Sequence, residues 1–484
     1  MSAPIDIDVE VCRRLPLADS VLRLLNYATD DAFLSDVFEK HRGRCFEREL
    51  PFSLFVHLMG DALLGHRGGS AHQAFRHAQE DGTLETSVQA MYYRLGTLPA
   101  EVSMGFFSEA TARLDAVVLC PATDTLPASL SDYRGVVVDG KKLKYLTKRI
   151  KLFHGLKGNV YGAKLLVAQD MRTGQALAVE AEIDGEAADN PLVPGVVARV
   201  RALPGSRPRL WVDDRAFCEF KTLRLMSEGN DAFVARYHSK CKFHPDPAVP
   251  ARTGIDDVKR AFREEWGWLG APANKNRIRV RMITVTRPDK EPLIIVTSLM
   301  DADRHPARDL LIVYRHRWGI ETMFQRVVQT FDLRHLIGGT PQATIFQAAY
   351  CLLLYNIMLT IRDYVAVGAE REPETVSPHL LYGDIVAELT AWMEVIGPAA
   401  TIDVLKCRVF NGAADFQRYL RETLGTVWTE RWAKAKTTKR QPKKPPRAYL
   451  KGGHSSADRI LRGVHKEIPI KPKKPIPLKP NSPT

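Results

Sequence analysis

The chain has 484 residues, with 69 Lys plus Arg against 56 Asp plus Glu (formal net charge +13), 45% hydrophobic and 26% charged residues. That balance excludes global disorder, a collagen-like repeat and a disulfide-stapled miniprotein, and the length predicts roughly two to four domains rather than one core. The surplus points to a polyanionic partner, nucleic acid or an anionic membrane surface, but residues 434–484 carry 15 Lys plus Arg and 2 Asp plus Glu, leaving residues 1–433 neutral on paper.

The seven cysteines are scattered and form no Cys-x-x-Cys pair, as expected of thiols in a reducing cytoplasm. Cys241 and His244 have a ligand-like spacing without a second pair, so the plain reading is a loop thiol. The chain opens on an acidic segment, Met1 to Glu10, unlike a secretory signal. The most apolar stretch, Ile345 to Ile361, falls short of the roughly 20 residues of a membrane span and reads as a buried core helix. A cytoplasmic protein without a membrane partner is the expectation.

In chain order, residues 1–130 read as an all-helical N-terminal domain, with apolar residues at spacings of three and four in Leu22–Phe38, Phe52–Leu64, Glu85–Leu95 and Ala100–Leu114. From Tyr133 the texture changes. Gly135-Val-Val-Val-Asp139, Tyr161–Ala168 and Ala176–Ile183 are predicted strands, the last two separated by a turn ending in Gly174. A helix over Pro191–Val200, opened by Asp189 and Asn190, precedes a strand (Arg209–Asp213), a helix (Phe217–Ser227) and a strand (Ala232–Tyr237). This α/β order, three strands, helix, strand, helix, strand, is that of the ribonuclease H-like fold. A doubly wound dinucleotide domain would need a Gly-rich loop after the first strand, and Asp139-Gly-Lys-Lys supplies none.

Residues 239–300 read as a mostly β insertion. Within it Arg277, Arg279 and Arg281 alternate with apolar residues, predicting a basic hairpin face that is either a solvated face or a DNA-facing one. Trp266 and Trp268 suit either a hairpin core or base stacking. Helix returns over Leu310–Gln329 and Thr344–Tyr364, closing a domain of 131–365. Residues 366–433 suggest a helical region suited to dimerisation, and 434–484, with nine prolines, a basic tail predicted to be extended or disordered.

Three acids stand out by context. Asp139 is predicted to end the first strand and Asp214 the fourth, which neighbour each other in such a sheet; Glu321 lies on the later helix that packs across them. Grouped carboxylates repel unless cations neutralise them, and oxygen-only ligation favours Mg²⁺ or Mn²⁺. Two such ions about 3.5–4 Å apart can activate a nucleophile and stabilise a leaving oxygen in phosphodiester displacement. A strand-end Asp is otherwise an ordinary turn or cap residue. Tyr314-x-x-Arg317-x-x-x-Glu321 puts a phenol, a guanidinium and a carboxylate on one helical stripe, a poor core but a suitable phosphate grip beside a metal.

Tyr314-Arg-His-Arg317-Trp-Gly-Ile-Glu321 resembles the Tyr-x2-Arg-x3-Glu-x6-Lys signature of the insertion-sequence-four family of bacterial DDE transposases. Asp214-Arg-Ala-Phe217 and Val138-Asp139-Gly140 resemble that family's motifs around its two aspartates, over roughly residues 130–365. The resemblance implies Asp139, Asp214 and Glu321 as catalytic ligands of two Mg²⁺ ions, with Mn²⁺ able to substitute, and Tyr314 and Arg317 on DNA phosphate. It favours Asp214 over its rival Asp213, because Arg215 follows directly. The signature lysine falls on Val328, so that either Gln325 or Arg326 replaces its contact in part or the contact is missing. Lys141 and Lys142 either steer target DNA or sit on a solvated turn.

The implied reaction is metal-dependent cleavage at element ends followed by 3′-hydroxyl strand transfer into target DNA, of cut-and-paste type. Its partners would be double-stranded DNA (terminal inverted repeats and target) and a second protomer, at the bacterial nucleoid. A purely hydrolytic nuclease and a domesticated, non-transposing DNA-binding protein are the alternatives. His72, Arg76, His77, Tyr92, Tyr93 and Arg94, within residues 70–115, suit a helix-turn-helix-like end reader, or a helical domain that only assembles a dimer.

Overall fold

The computed structural model describes residues 7–47, 49–64, 70–119, 126–144, 160–288, 290–331, 337–434 and 455–464. Helices α1 (Ile7–Arg14), α2 (Pro16–Ala28), α3 (Asp31–His41), α4 (Phe52–Leu64), α5 (Ala71–Glu80), α6 (Val88–Thr97) and α7 (Ala100–Asp115) come first. Several start on side-chain caps: Asp30, Ser70 and Ser87 accept from the backbone N–H of Phe33, Gln73 and Ala90, satisfying donors that no helical carbonyl can reach.

Strands β1 (Arg134–Lys144), β2 (Val160–Asp170) and β3 (Ala176–Glu182), helix α8 (Val193–Ala202), strand β4 (Arg209–Asp213), helix α9 (Phe220–Leu225) and strand β5 (Ala232–Arg236) follow in the predicted order. Across the sheet they run β3-β2-β1-β4-β5, antiparallel through the first three and parallel from β1 to β5. The valine run of β1 suits a strand covered on both faces. Val137 enters a core shared with the N-terminal helices, whereas Val136 and Val138 join Val196 and Val200 of α8 on the other face. At the β2–β3 turn Asp170 accepts from the N–H groups of Arg172 and Thr173, and Gly174 takes the left-handed conformation (φ 75°) that side chains with a Cβ resist.

The insertion comprises β6 (Phe243–Pro245), β7 (Arg252–Ile255), β8 (Ala261–Leu269), β9 (Ile278–Val285) and β10 (Leu293–Thr297). It extends the same sheet, because β10 pairs with β5 on one side and with β9 on the other. Its predicted basic face is only partly solvated. Arg277 and Arg279 are exposed and flank the Trp268 ring at 4.3 and 5.9 Å. Arg281 is instead fully buried, donating to the His305 carbonyl at 2.6 Å beside Glu264. Trp266 is buried and donates to the Met300 carbonyl, which makes it a core residue.

Helices α10 (Ala307–His316), α11 (Gly319–Thr330), α12 (Pro341–Gly368), α13 (Pro378–Val395), α14 (Gly397–Lys406) and α15 (Ala413–Leu424) follow. The predicted single helix Leu310–Gln329 is therefore broken, at Arg317–Trp318. The N–H of Arg317 bonds Tyr314 O and that of Ile320 bonds Arg317 O, tight i→i−3 turns that interrupt the α-helical register. Helix α12, 28 residues, is apolar and long enough to cross a membrane, yet every residue from Ala343 to Ala366 is buried. It packs against α2, α6, α7, α15, β2 and β3. Asn356 at its centre accepts from Ala176 N–H and donates to Ala176 O, so a buried amide is satisfied by the edge of β3. The N-terminal helices thus share one core with the sheet.

The basic tail departs from the expectation of disorder over residues 455–464. Strand β11 (Ser455–Ser456) pairs parallel with Val160 and Tyr161 of β2, and α16 (Ala457–Leu461) follows. Ala457 and Ile460 are buried in the main core, and Arg459 pairs with Asp184 and Glu186. A short apolar pair flanked by a charge match anchors a segment whose composition alone reads as solvated. Apart from Lys434, the rest of the tail lies outside the described residues. Ile460→Asp is expected to cost about 2–4 kcal/mol of local docking free energy, seen as protease cleavage within 455–464 at concentrations that leave the wild-type segment intact.

Candidate active site

Strand β1 does not end at Asp139. It runs on to Lys144 against β2, and it is β4 that stops: the β1–β4 ladder closes at Val138↔Asp213 while Asp139 still pairs with Val167 of β2. The lysines pair across β2 in an extended hairpin that a five-residue strand prediction misses. Alternation then assigns the faces. Asp213 shares the face of Val138 and Trp211, toward α8. Asp214, still extended at φ −82° and ψ 174°, continues the alternation onto the face of Asp139, Val137 and Val212. The register thus separates the two rivals by face.

Burial pushes the Asp139 carboxyl up to about 6, opposed by the Arg317 guanidinium and by the Gly140 N–H, which bonds it at 2.9 Å; the charges of Glu321 and Asp189 reinforce the rise. Asp213 is fully buried with neither carboxylate oxygen hydrogen-bonded, and burial raises its carboxyl well above the usual range. One oxygen of Asp214 is buried without a partner as well.

Helices α10 and α11 bring the third group. α10 touches β4 and β5, and α11 touches β1. Arg317, buried at the break between them, donates to Glu321 at 3.2 Å, and Asp214, Tyr314, Asp139 and Glu321 all hold its charge in place against burial. The side chain of Glu321 is 40% exposed. Among the described residues no three His, Cys, Asp or Glu side chains stand ready to hold one metal ion; a guanidinium supplies the counter-charge. The donor set nevertheless fits a hard divalent cation, being all oxygen with an unpartnered oxygen on Asp214.

Tyr314 is buried beside Arg317, and burial with the Asp214 charge raises its phenol, so neither residue lies open on the surface. Lys141 rides over Phe324 of α11 at 5.3 Å and Lys142 over Tyr161 at 4.8 Å. Arg215 and Gln325 are exposed. Arg326 turns to the Tyr355 hydroxyl of α12, and Val328 packs against the core, where a lysine would have to displace apolar contacts.

The sequence predicts Asp189 at a helix start. Its side chain caps nothing; Lys164, itself buried, pairs with it at 2.8 Å and also donates to Ala187 O. A Cβ at position 140 would lie 1.9 Å from Asp189 Oδ1. The glycine after Asp139 is thus the signal that another carboxylate crosses the strand there.

The residues expected to read DNA ends divide sharply. Arg94 is buried against Phe38 and donates to Phe46 O, and Tyr92 packs between His72 and Phe75. Tyr93, 73% exposed, and Arg76, paired with Glu80, lie on the surface.

Residues 130–357 match the family model described as the transposase DDE domain. A 98-residue stretch is 32% identical to the transposase InsG for insertion sequence element IS4 of Escherichia coli (strain K12), covering 20% of this chain and 21% of that protein. Another 153 residues are 23% identical to a probable transposase for insertion sequence element IS5377 of Geobacillus stearothermophilus, over 31% of this chain and 39% of the relative. The matches thus span well under half the length of these curated relatives. A cryo-EM structure of a piggyBac transposase synaptic complex with hairpin DNA aligns over 86% of both chains at 12% identity and a TM-score of 0.38, too distant to add to the topology.

Proposed function

We infer from the transposase DDE domain at residues 130–357 that this chain cleaves DNA at the ends of an insertion sequence and joins the freed 3′-hydroxyl to target DNA. The observation that carries the reading is the pair of carboxylates, Asp139 and Asp214, on one face of adjoining parallel strands, coupled through Arg317 to Glu321. The strand order β3-β2-β1-β4-β5 supports a ribonuclease H-like catalytic domain.

Asp139, Asp214 and Glu321 would hold two Mg²⁺ ions, or Mn²⁺ in their place. Bound there, the cations supply Lewis-acid activation of the attacking oxygen and neutralise the departing one. The chain's own residues do the remainder. Asp213 and the α8-side core keep water from beneath the strand ends. Arg317, buried between these carboxylates, would present its fork to a phosphate, for which guanidinium geometry is suited, with Tyr314 beside it. Gln325, one turn past Glu321 and exposed, takes the contact that Val328 cannot make; Arg215, Lys141 and Lys142 line the approach, whereas Arg326 serves α12. In the first step a water oxygen replaces the 3′-oxygen on phosphorus; in the second that 3′-oxygen replaces another in target DNA, so each exchanges one P–O bond for one. DNA spanning two ends calls for a homodimer, in the compartment that holds the bacterial nucleoid.

The test is incubation with Mg²⁺ and duplexes carrying the inverted repeats that flank the gene. Free 3′-hydroxyl ends together with joined products are expected. Cleavage without joining would favour a hydrolytic nuclease, and Mg²⁺-dependent binding with neither product would leave only a DNA-binding protein.

A further inference from the structure

We propose that Cys218 and Cys241 are a redox pair that closes to a reversible intrachain disulfide by exchange with a small disulfide of the glutathione class. The site is separate from the carboxylates and nothing in the cleavage chemistry uses it. Cys218 lies four residues beyond Asp214, at the end of the 3₁₀ turn Arg215–Phe217, and Cys241 lies in the turn that leads from β5 into the insertion. Both are buried in the same core on the α8 face. The Cys241 thiol donates to the Cys218 carbonyl at 3.2 Å, so the two residues touch.

The surroundings differ for the two sulfurs. The two thiols also interact side chain to side chain, and the Phe220 N–H faces the Cys241 sulfur. The interaction with Cys218, helped by the Phe220 N–H, holds the Cys241 thiol below its ordinary range against burial, whereas the same interaction and burial together push that of Cys218 up. Two touching thiols of unequal acidity suit the roles of an attacking and a resolving sulfur. Cys351, by contrast, is fully buried and shifted upward by burial alone, and Cys12 is pushed up to about 12. Ser239 and Lys240, exposed at the tip of the Cys241 turn, give the route by which local opening presents that sulfur to solvent.

The steps balance. The Cys241 thiolate attacks one sulfur of the glutathione disulfide, whose S–S bond breaks, and the released glutathione thiolate takes up a proton. Cys218 then loses its proton to solvent and attacks the Cys241 sulfur, expelling the second glutathione. Two protein thiols are oxidised and one glutathione disulfide is reduced to two thiols. The new bond ties the root of the insertion to the loop that follows Asp214.

Full-length protein titrated with oxidised glutathione is expected to lose two of its seven thiols, with non-reducing peptide mapping locating both in a Cys218–Cys241 link that dithiothreitol reopens. In Cys218→Ser the same treatment should stop at a mixed disulfide of one glutathione on Cys241. Cys241→Ser should leave Cys218 unmodified. Oxidation confined to Cys407, Cys45 or other thiols, with Cys218 and Cys241 still reduced, overturns the proposal, whatever the outcome of the DNA cleavage test. So does a mixed disulfide on Cys241 that never resolves in the unsubstituted chain.

Discussion

Arg317→Ala is expected to lower the stability of the metal-free protein by about 3–5 kcal/mol, the usual consequence of stranding buried charges by removing their partner. Four carboxylates depend on this guanidinium: Asp139, Asp213 and Asp214 feel its charge, and Glu321 accepts its hydrogen bond. The denaturation midpoint in urea reads the loss directly. On the proposed metal-binding role, Mg²⁺ should return more stability to the variant than to the unsubstituted protein, taking over the counter-charge that arginine supplied. If the variant unfolds at the same urea concentration as its parent, the carboxylates are not held together by Arg317.

Asp139→Asn is expected to separate stability from activity. With its carboxyl held near 6 rather than the ordinary 3.8, the folded metal-free protein prefers Asp139 protonated. The stability that proton provides is present below about pH 4 and is lost as pH rises toward 6. Asparagine has no charge to desolvate, so the variant should match its parent near pH 4 and exceed it above pH 6, by on the order of 2 kcal/mol. On the proposed function, Mg²⁺-dependent strand cleavage should meanwhile fall by about 10³-fold or more, the loss of several kcal/mol of transition-state stabilisation. Full cleavage by Asp139→Asn would remove this carboxylate from the mechanism. Asp213→Asn makes the complementary comparison, since that side chain faces α8: it should stabilise the fold and leave cleavage largely intact.

Much of this arrangement is legible in the sequence. The valine run at 136–138, the turn at Gly174 and the alternation at 209–214 each carry a local period or a local turn, and the strands lie where those signals put them except at the far end of β1. What escaped depends on partners distant in sequence. Asp139 looked like a strand end because the valines stop there, yet the pairing of Lys141 and Lys142 with β2 carries the strand onward. Tyr314, Arg317 and Glu321 were placed on one helix by spacing, and the spacing survives although the helix breaks, because a tight turn at Arg317 still advances the chain by about one turn. Arg281 and Arg94 read as surface cations since nothing nearby in sequence announces the carbonyls of His305 and Phe46 that receive them. The ordered piece of the tail was hidden by composition: two buried apolar side chains among many lysines and prolines leave no periodic trace.

The position of α12 has a consequence for how the protein is made. The helix that covers the apolar sides of α2 and α7 begins only at Pro341 of 484 residues. A nascent chain therefore displays those helices unsealed until well over half of it has left the ribosome, and contacts of such long sequence separation form slowly. Newly made protein should pass through a phase in which it depends on chaperones, and truncated products ending before residue 341 should be found in the insoluble fraction rather than as a folded N-terminal fragment.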